Sequence, residues 1–381
     1  MNRLRVFLLL AIVWIILPVT SSRAEPAADK EDSPFIQTLA AQFSKWDKDH
    51  DQTLSLHELD TAIEDPANTG PAAAALAALK RASRATNYTL PALTMMNIRE
   101  LANSPPATNR PNFQRLYGEC LRRITGVKHR ELFVSGLPQL STVHQGRIGD
   151  CFCLAPLGAM IHRNPDEVAS LFSTEEDGRV RISFGSGPVS VAPPTDAELA
   201  ITSGNTQDGV WVNLYEKAIS EVRNLERPLN KRADLAIDAI ASGGSASKIM
   251  SYLTGHKVSG FSFRFATNAD TSSAAREIKL AALRLGLAEA TEQKRLMVCT
   301  TQKPTTPGIT PKHAYALLSY DQKNDTVELW NPHGNRFNPK GPPGLTNGYP
   351  TRNGVFTIPV TEFVQQFTGM TFELASAVAS K

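Results

Sequence analysis

The sequence predicts an α+β protein, helical first and β-rich second, with a small helical region in front. Three observations carry this. Apolar residues recur at helical spacing through most of the chain to about Leu285, strand-like runs (RLMVCT, HAYALLSY, TVELW) dominate after it, and the stretch NSPPATNRPN, Asn103 to Asn112, has the composition of a linker. At 381 residues, 41% hydrophobic and 20% charged, the chain can bury a sizeable core and is neither disordered nor fibrous overall.

The chain opens with MNRLRVFLLLAIVWIILPVTSSRA, in which Arg3 and Arg5 precede an uncharged stretch from Val6 to Ser22 and a small-x-small site at Ser22-Arg23-Ala24. This is the pattern of a signal peptide over residues 1–24, so a secreted or periplasmic product without stable membrane association is expected. An uncleaved anchor is the alternative reading, because the apolar run is close to the shortest span. No cysteine follows the run, which argues against lipid attachment. Removing these residues takes away three arginines from the 40 basic side chains and leaves them equal in number to the 37 acidic ones. Such a balance gives no reason to expect nucleic acid or an anionic membrane as a partner.

Residues 25–102 form the small helical region. Phe35, Leu39, Phe43 and Trp46 have the spacing of a helix that leads into Asp47-Lys-Asp49-His-Asp51-Gln-Thr53-Leu-Ser55-Leu-His-Glu58. Asp47, Asp49, Asp51 and Ser55 stand at positions 1, 3, 5 and 9 of a twelve-residue loop, with a backbone carbonyl from Thr53 at 7 and Glu58 at 12. That is the pattern of an EF-hand calcium loop, and Ca2+ is the expected cofactor. Its sixth position is Gln52, where glycine normally relieves a positive φ, so weakened binding is expected. A second hand is sought where Thr53-Leu54 recurs as Thr89-Leu90, in a loop from Ser83 to Thr94 without acidic residues. Between the two, the alanine-rich GPAAAALAALKRASRA starts a helix at Pro71. A linker and helix over residues 103–131 lead into the larger domain, 132–381.

That domain contains HQGRIGDCFCLAPLGAM, where Cys151 stands at the junction of a glycine-rich loop and an apolar helix. A helix N-terminus favours a thiolate and holds an oxyanion, although a cysteine is also a small buriable hydrophobe. Four cysteines, Cys120, Cys151, Cys153 and Cys299, are too few for a disulfide framework, and whether Cys120 meets Cys299 stays open. Cys153 is assigned to the core. RVRISF and PVSV suggest a hairpin across Gly-Ser-Gly, and helices follow from Gly209, after Ser245 as far as Gly255, and from Ser273 to about Leu285. In HAYALLSYDQKNDTVELWNPHGN the tight turn DQKND places His313 and Asn331 side by side at one end of a hairpin. A histidine held by an asparagine amide is suited to serve as the base for a thiol.

Together, Gln145-Gly146, Gly149-Asp150-Cys151, WVNLYEKA, GGSASKIMSYLTG, Lys312-His313-Ala314-Tyr315, Asn331-Pro332-x-Gly334 and the closing GVFTIPVTEFVQQF resemble the calpain-type cysteine protease core from Leu132 to Phe372. The resemblance implies a papain-like two-lobed fold, a bacterial-style secreted member of the family, and a polypeptide substrate. It further implies a Cys151-His313-Asn331 triad with Gln145 as the side-chain oxyanion donor. The expected mechanism runs through a Cys151 thiolate paired with a His313 imidazolium and a thioester intermediate. Two positions depart from the family pattern. His333 stands where tryptophan usually shields the His–Asn bond, and Phe152 and Cys153 replace tryptophan and an aromatic after the nucleophile.

Three alternatives remain at this level. The first is a catalytically impaired calpain-like binding module, for which His333 argues. A transglutaminase-like acyl transferase is disfavoured by Asn331, since an aspartate is the usual third member there. The third is a calcium-sensing or structural adaptor. Cleavage preference, physiological substrate and oligomeric state are not legible.

Overall fold

The computed structural model describes residues 32–134, 136–204 and 208–374; the expected signal peptide lies outside them. Among the described residues no helix is long and apolar enough to cross a membrane. The chain is a mixed α+β protein in which five helices come first: α1 (Pro34–Trp46), α2 (Leu56–Glu64), α3 (Gly70–Ser83), α4 (Met95–Asn103) and α5 (Phe113–Gly126). Side chains of Ser33, Ser55, Thr94 and Asn112 cap the starts of α1, α2, α4 and α5 by accepting backbone N–H bonds, which is why these segments begin where they do. Pro71 enters α3 in its first turn, as expected from the alanine-rich run.

The larger part begins with α6 (Cys151–Arg163) and α7 (Pro165–Ser170). A three-stranded meander follows, of β1 (Phe172–Thr174), β2 (Val180–Phe184) and β3 (Gly187–Val191), with Val180 opposite Val191 in the expected hairpin. Next come α8 (Asp196–Ile201), α9 (Trp211–Leu225) and α10 (Ala246–Thr254). Ser245 caps α10 and Gly255 closes it at φ 73°, a left-handed turn that suits glycine. The last segment holds β4 (Val258–Ser262), α11 (Arg264–Thr267), α12 (Ser273–Glu292), β5 (Met297–Thr300), β6 (Ala314–Asp321), β7 (Thr326–Trp330), β8 (Val355–Pro359), α13 (Val360–Gln366) and β9 (Gly369–Glu373). The helix from Ser273 thus runs a further two turns beyond Leu285.

Six of these strands form one antiparallel sheet in the order β4-β9-β5-β6-β7-β8, with the C-terminal strand inserted beside β5. Alternation sorts its two faces. Val298, Ala314, Ala316 and Leu318 pack towards the helical half, while Met297, Cys299, Tyr315 and Leu317 join Leu283, Leu287 and Phe363 on the side covered by α12 and α13. The apolar core that contains Phe35, Leu39 and Leu76 is continuous with the one around Cys153 and Trp211, so the division at 103–131 divides the sequence and not the core. Polar ties cross the same boundary. Lys80 is buried between Asp60 and Asp238, Gly70 N–H donates to Asp196 at 2.7 Å, and Thr195 donates to the Ile63 carbonyl at 2.7 Å.

Candidate active site

Cys151 is the first residue of α6, as the glycine-to-apolar transition suggested. The preceding loop follows other backbone closely. A Cβ on Gly146 would stand 2.5 Å from the Thr202 carbonyl oxygen, so only glycine passes there. Gly149 N–H donates to the Ala241 carbonyl at 2.8 Å, and Gln145 N–H donates to the Pro332 carbonyl at 2.7 Å. The second of these bonds ties the loop of Cys151 to the turn that follows Asn331.

His313 leads into β6 from Lys312, whose left-handed φ of 49° turns the chain at that point. The His313 ring donates through Nε2 to Asn331 Oδ1 at 2.8 Å, and the His333 backbone N–H donates to the same oxygen at 3.0 Å. Two converging donors fix the asparagine amide and therefore the tautomer, leaving the Nδ1 lone pair free. The pairing of β6 with β7 ends at Ala316 opposite Trp330, and from the turn beyond it, closed by Gly334 N–H donating to the Asn331 carbonyl at 2.9 Å, Asn331 and His333 both reach the His313 ring. The two imidazoles stack, 4.5 Å apart and 8° from parallel.

Gln145, Gly149, Cys151, Gly243 and Gly244 from the helical half face Thr300, His313, Ala314 and His333 from the sheet across one cleft of about 660 Å³. Gln145 turns its amide inward, donating from Nε2 to the Ile148 carbonyl at 2.9 Å. The four residues proposed from sequence are thus brought to one place: Gln145, Cys151 and His313 line the cleft and Asn331 lies behind His313.

Burial acts on the ionisation of both Cys151 and His313. Burial pushes the Cys151 thiol up, with the Asp150 carboxylate adding to the shift and an Ala314 backbone N–H opposing it. Burial and the neighbouring His333 push His313 down to about 4, against the hydrogen bond to Asn331. Both directions favour a neutral thiol beside a neutral imidazole. The shared cause is the cleft, which removes water from both groups.

Sequence reasoning missed what lies beneath Cys151. Asp150 and Glu216 are fully buried. Burial raises both carboxyls; the charge of Asp150 and its hydrogen bond raise Glu216 further, while the same bond from Glu216 lowers Asp150. Ser203 connects this pair to the loop: its N–H donates to Glu216 at 2.9 Å, and its hydroxyl accepts from the Gly146 N–H at 3.0 Å. The signals were present as Asp150 beside the cysteine and Glu216 inside WVNLYEKA, but nothing in their spacing joins them.

The loop between α1 and α2 is a second cluster. Asp47, Asp49 and Glu58 bring carboxylate oxygens within 4.8 Å of one another. Gln52 takes φ 68°, the left-handed conformation expected at that position, and its N–H donates to Asp47 Oδ2 at 3.0 Å. Asp51 instead accepts from the Thr53 N–H at 2.7 Å, and Ser55 serves as helix cap in a reciprocal bond with Glu58. Burial of Glu58 works against its charge, but hydrogen bonds from Ser55, Lys48 and Asp49 prevail and lower its pKa. Asp47 Oδ1 is buried without a hydrogen-bond partner. An all-oxygen donor set with one unsatisfied carboxylate oxygen fits a hard cation such as Ca2+. Leu54 N–H donates to the Leu93 carbonyl at 3.1 Å, so the segment pairing with this loop lies three residues beyond the Leu90 expected from the Thr-Leu repeat.

A cysteine at a helix start, across a cleft from a histidine fixed by an asparagine, defines the cysteine peptidase class. Comparison with known families makes the class specific: residues 114–342 match the profile of the calpain family cysteine proteases, and the chain belongs to that family. The matched stretch includes Gln145, Cys151, His313 and Asn331 and leaves the 47–58 loop outside it. No curated protein matches the chain.

Proposed function

We propose that this protein is an exported cysteine endopeptidase of papain-like two-lobed architecture that hydrolyses peptide bonds through Cys151, His313 and Asn331. The observation that carries the reading is the His313 Nε2 to Asn331 Oδ1 bond in a cleft shared with Cys151. His313 Nδ1 takes the thiol proton as the sulfur attacks the peptide carbonyl, which suits a pair that rests neutral. The oxyanion receives the Cys151 backbone N–H and, after its amide turns outward, Gln145. The imidazolium then protonates the leaving amine, and the neutral ring activates water to hydrolyse the thioester.

In the same proposal the 47–58 loop holds one Ca2+ through Asp47, Asp49 and Glu58, with Asp51, the Thr53 carbonyl and Ser55 completing the oxygen set. Export rests on the pattern of residues 1–24. A second reading, a catalytically impaired binding module, is favoured by one observation: His333 stacks on His313 and lowers its basicity. Peptide hydrolysis by the purified full chain, with and without calcium, separates the two. Turnover that disappears in Cys151→Ala and in His313→Ala establishes the peptidase. A chain that binds peptides without cleaving them, and whose Cys151 resists alkylation, is the binding module.

A further inference from the structure

A second cavity, of about 700 Å³, lies on the other side of the Cys151 loop and shares Arg147 and Ile148 with the cleft. Its walls come from the end of α3 (Arg81, Arg84), the segment between α4 and α5 (Arg110), α5 (Arg115) and the loop before Cys151 (Arg147). Five arginines line one concave surface, and few carboxylates stand beside them. Glu119 alone serves three of them, at 2.7 Å to Arg81, 3.7 Å to Arg147 and 3.9 Å to Arg115. Asp238 bonds Arg84 at 2.7 Å and is shared with Lys80. Arg110 has no anionic partner among the described residues, and Arg84 Nη1 is buried without an acceptor.

We propose that this cavity binds a small, multiply charged oxyanion bearing two or more phosphate groups, which bridges the helical region to the loop that carries Cys151. Guanidinium forks match phosphate oxygens two at a time, and five of them converging from four segments suit several phosphate groups better than one carboxylate. The volume is that of a small-molecule pocket. The half-buried Arg123 nearby points the same way: loss of water, together with like charge on Arg81 and Arg147, lowers its pKa although Glu216 opposes this. The site stands on charge and shape alone and does not depend on the peptidase reading.

Titration calorimetry of the full chain with sodium tripolyphosphate tests it. One-to-one binding that weakens as salt rises is expected, with affinity falling about tenfold or more in Arg110→Ala and again in Arg147→Ala. Lys279→Ala, on the exposed side of α12, serves as the charge control. Thermal unfolding without ligand confirms that each variant is folded, and Arg110→Lys, which keeps the charge but not the fork, is expected to recover only part of the loss. No binding, or equal loss in the Lys279 variant, overturns the site. Unchanged affinity in Arg147→Ala overturns the bridge. Tighter, Arg110-dependent binding of a heptaglutamate peptide than of tripolyphosphate overturns the ligand class and assigns the cavity to acidic polypeptide.

Discussion

The 47–58 loop and the cleft of Cys151 both place ionisable groups at the start of a helix, yet they are assembled in opposite ways. The loop is written in twelve consecutive residues, and its geometry follows from local bonds such as Gln52 N–H to Asp47 and the Ser55–Glu58 capping box. The cleft joins Gln145 and Cys151 to His313 and Asn331 across most of the domain, and only the pairing of β6 with β7 and the packing of α6 on the sheet bring them together. A local site tolerates an imperfect residue by bending its own backbone. A long-range site transmits every misfit to its partners.

The sharpest test of this contrast is Gln145→Ala. The oxyanion exists only near the transition state, so kcat is expected to fall about a hundredfold or more while KM stays within a few-fold. Steady-state peptide kinetics measure both. A rise in KM at constant kcat would move Gln145 from the chemistry to ground-state binding. On the local side, Glu58→Gln removes the charge and one of the two oxygens of a bidentate ligand and is expected to weaken calcium binding about tenfold or more by calorimetry. Equal affinity in the native chain and the variant would remove Glu58 from the site.

The long-range assembly is probed by Gly158→Ala. A Cβ there would stand 2.4 Å from the Trp330 ring, which is fully buried one residue before Asn331. Alanine favours a helix by roughly 1 kcal/mol over glycine. Overpacking against an immobile ring costs about 1–3 kcal/mol, so a net loss of stability is expected. Thermal unfolding reads it as a lower Tm. A higher Tm would show that α6 and β7 separate freely, and that the cleft is held by something other than their contact.

What the sequence revealed follows the same division. The cap at Ser245, the helix from Cys151 and the hairpin of HAYALLSY with TVELW are local signals, and each was legible. So was the Cys151, His313, Asn331 and Gln145 constellation, because motif order stands in for tertiary contact. The bulge between Leu317 and Ser319 was not legible, and it shifts the pairing of β6 with β7 by one residue on the side of Trp330. Nor was the buried Asp150–Glu216 pair, because a carboxyl in a sequence carries no mark of its burial. The insertion of β9 beside β5 was equally hidden, since strand order in a sheet is decided by which edges remain open once the other strands have paired.

The smallest effect is expected at His333. Its ring stacks on His313 and its charge lowers the neighbour's basicity, while Asn331 raises it. His333→Trp keeps an aromatic face against His313, removes the like charge and offers the imidazolium a cation–π partner. The pKa of His313 is therefore expected to rise from about 4 towards its ordinary 6.5, by less than one unit because the larger ring also excludes water. The acid limb of kcat/KM for peptide hydrolysis reports this pKa and should move to higher pH. Stability follows with a definite sign. Between about 4 and 6.5 the unfolded chain binds the proton that folded His313 refuses, so the native protein loses stability as pH falls through that window. The tryptophan variant should lose less over the same interval in thermal unfolding. An acid limb that stays in place or moves to lower pH would show that His313 does not sense the charge of the ring stacked upon it.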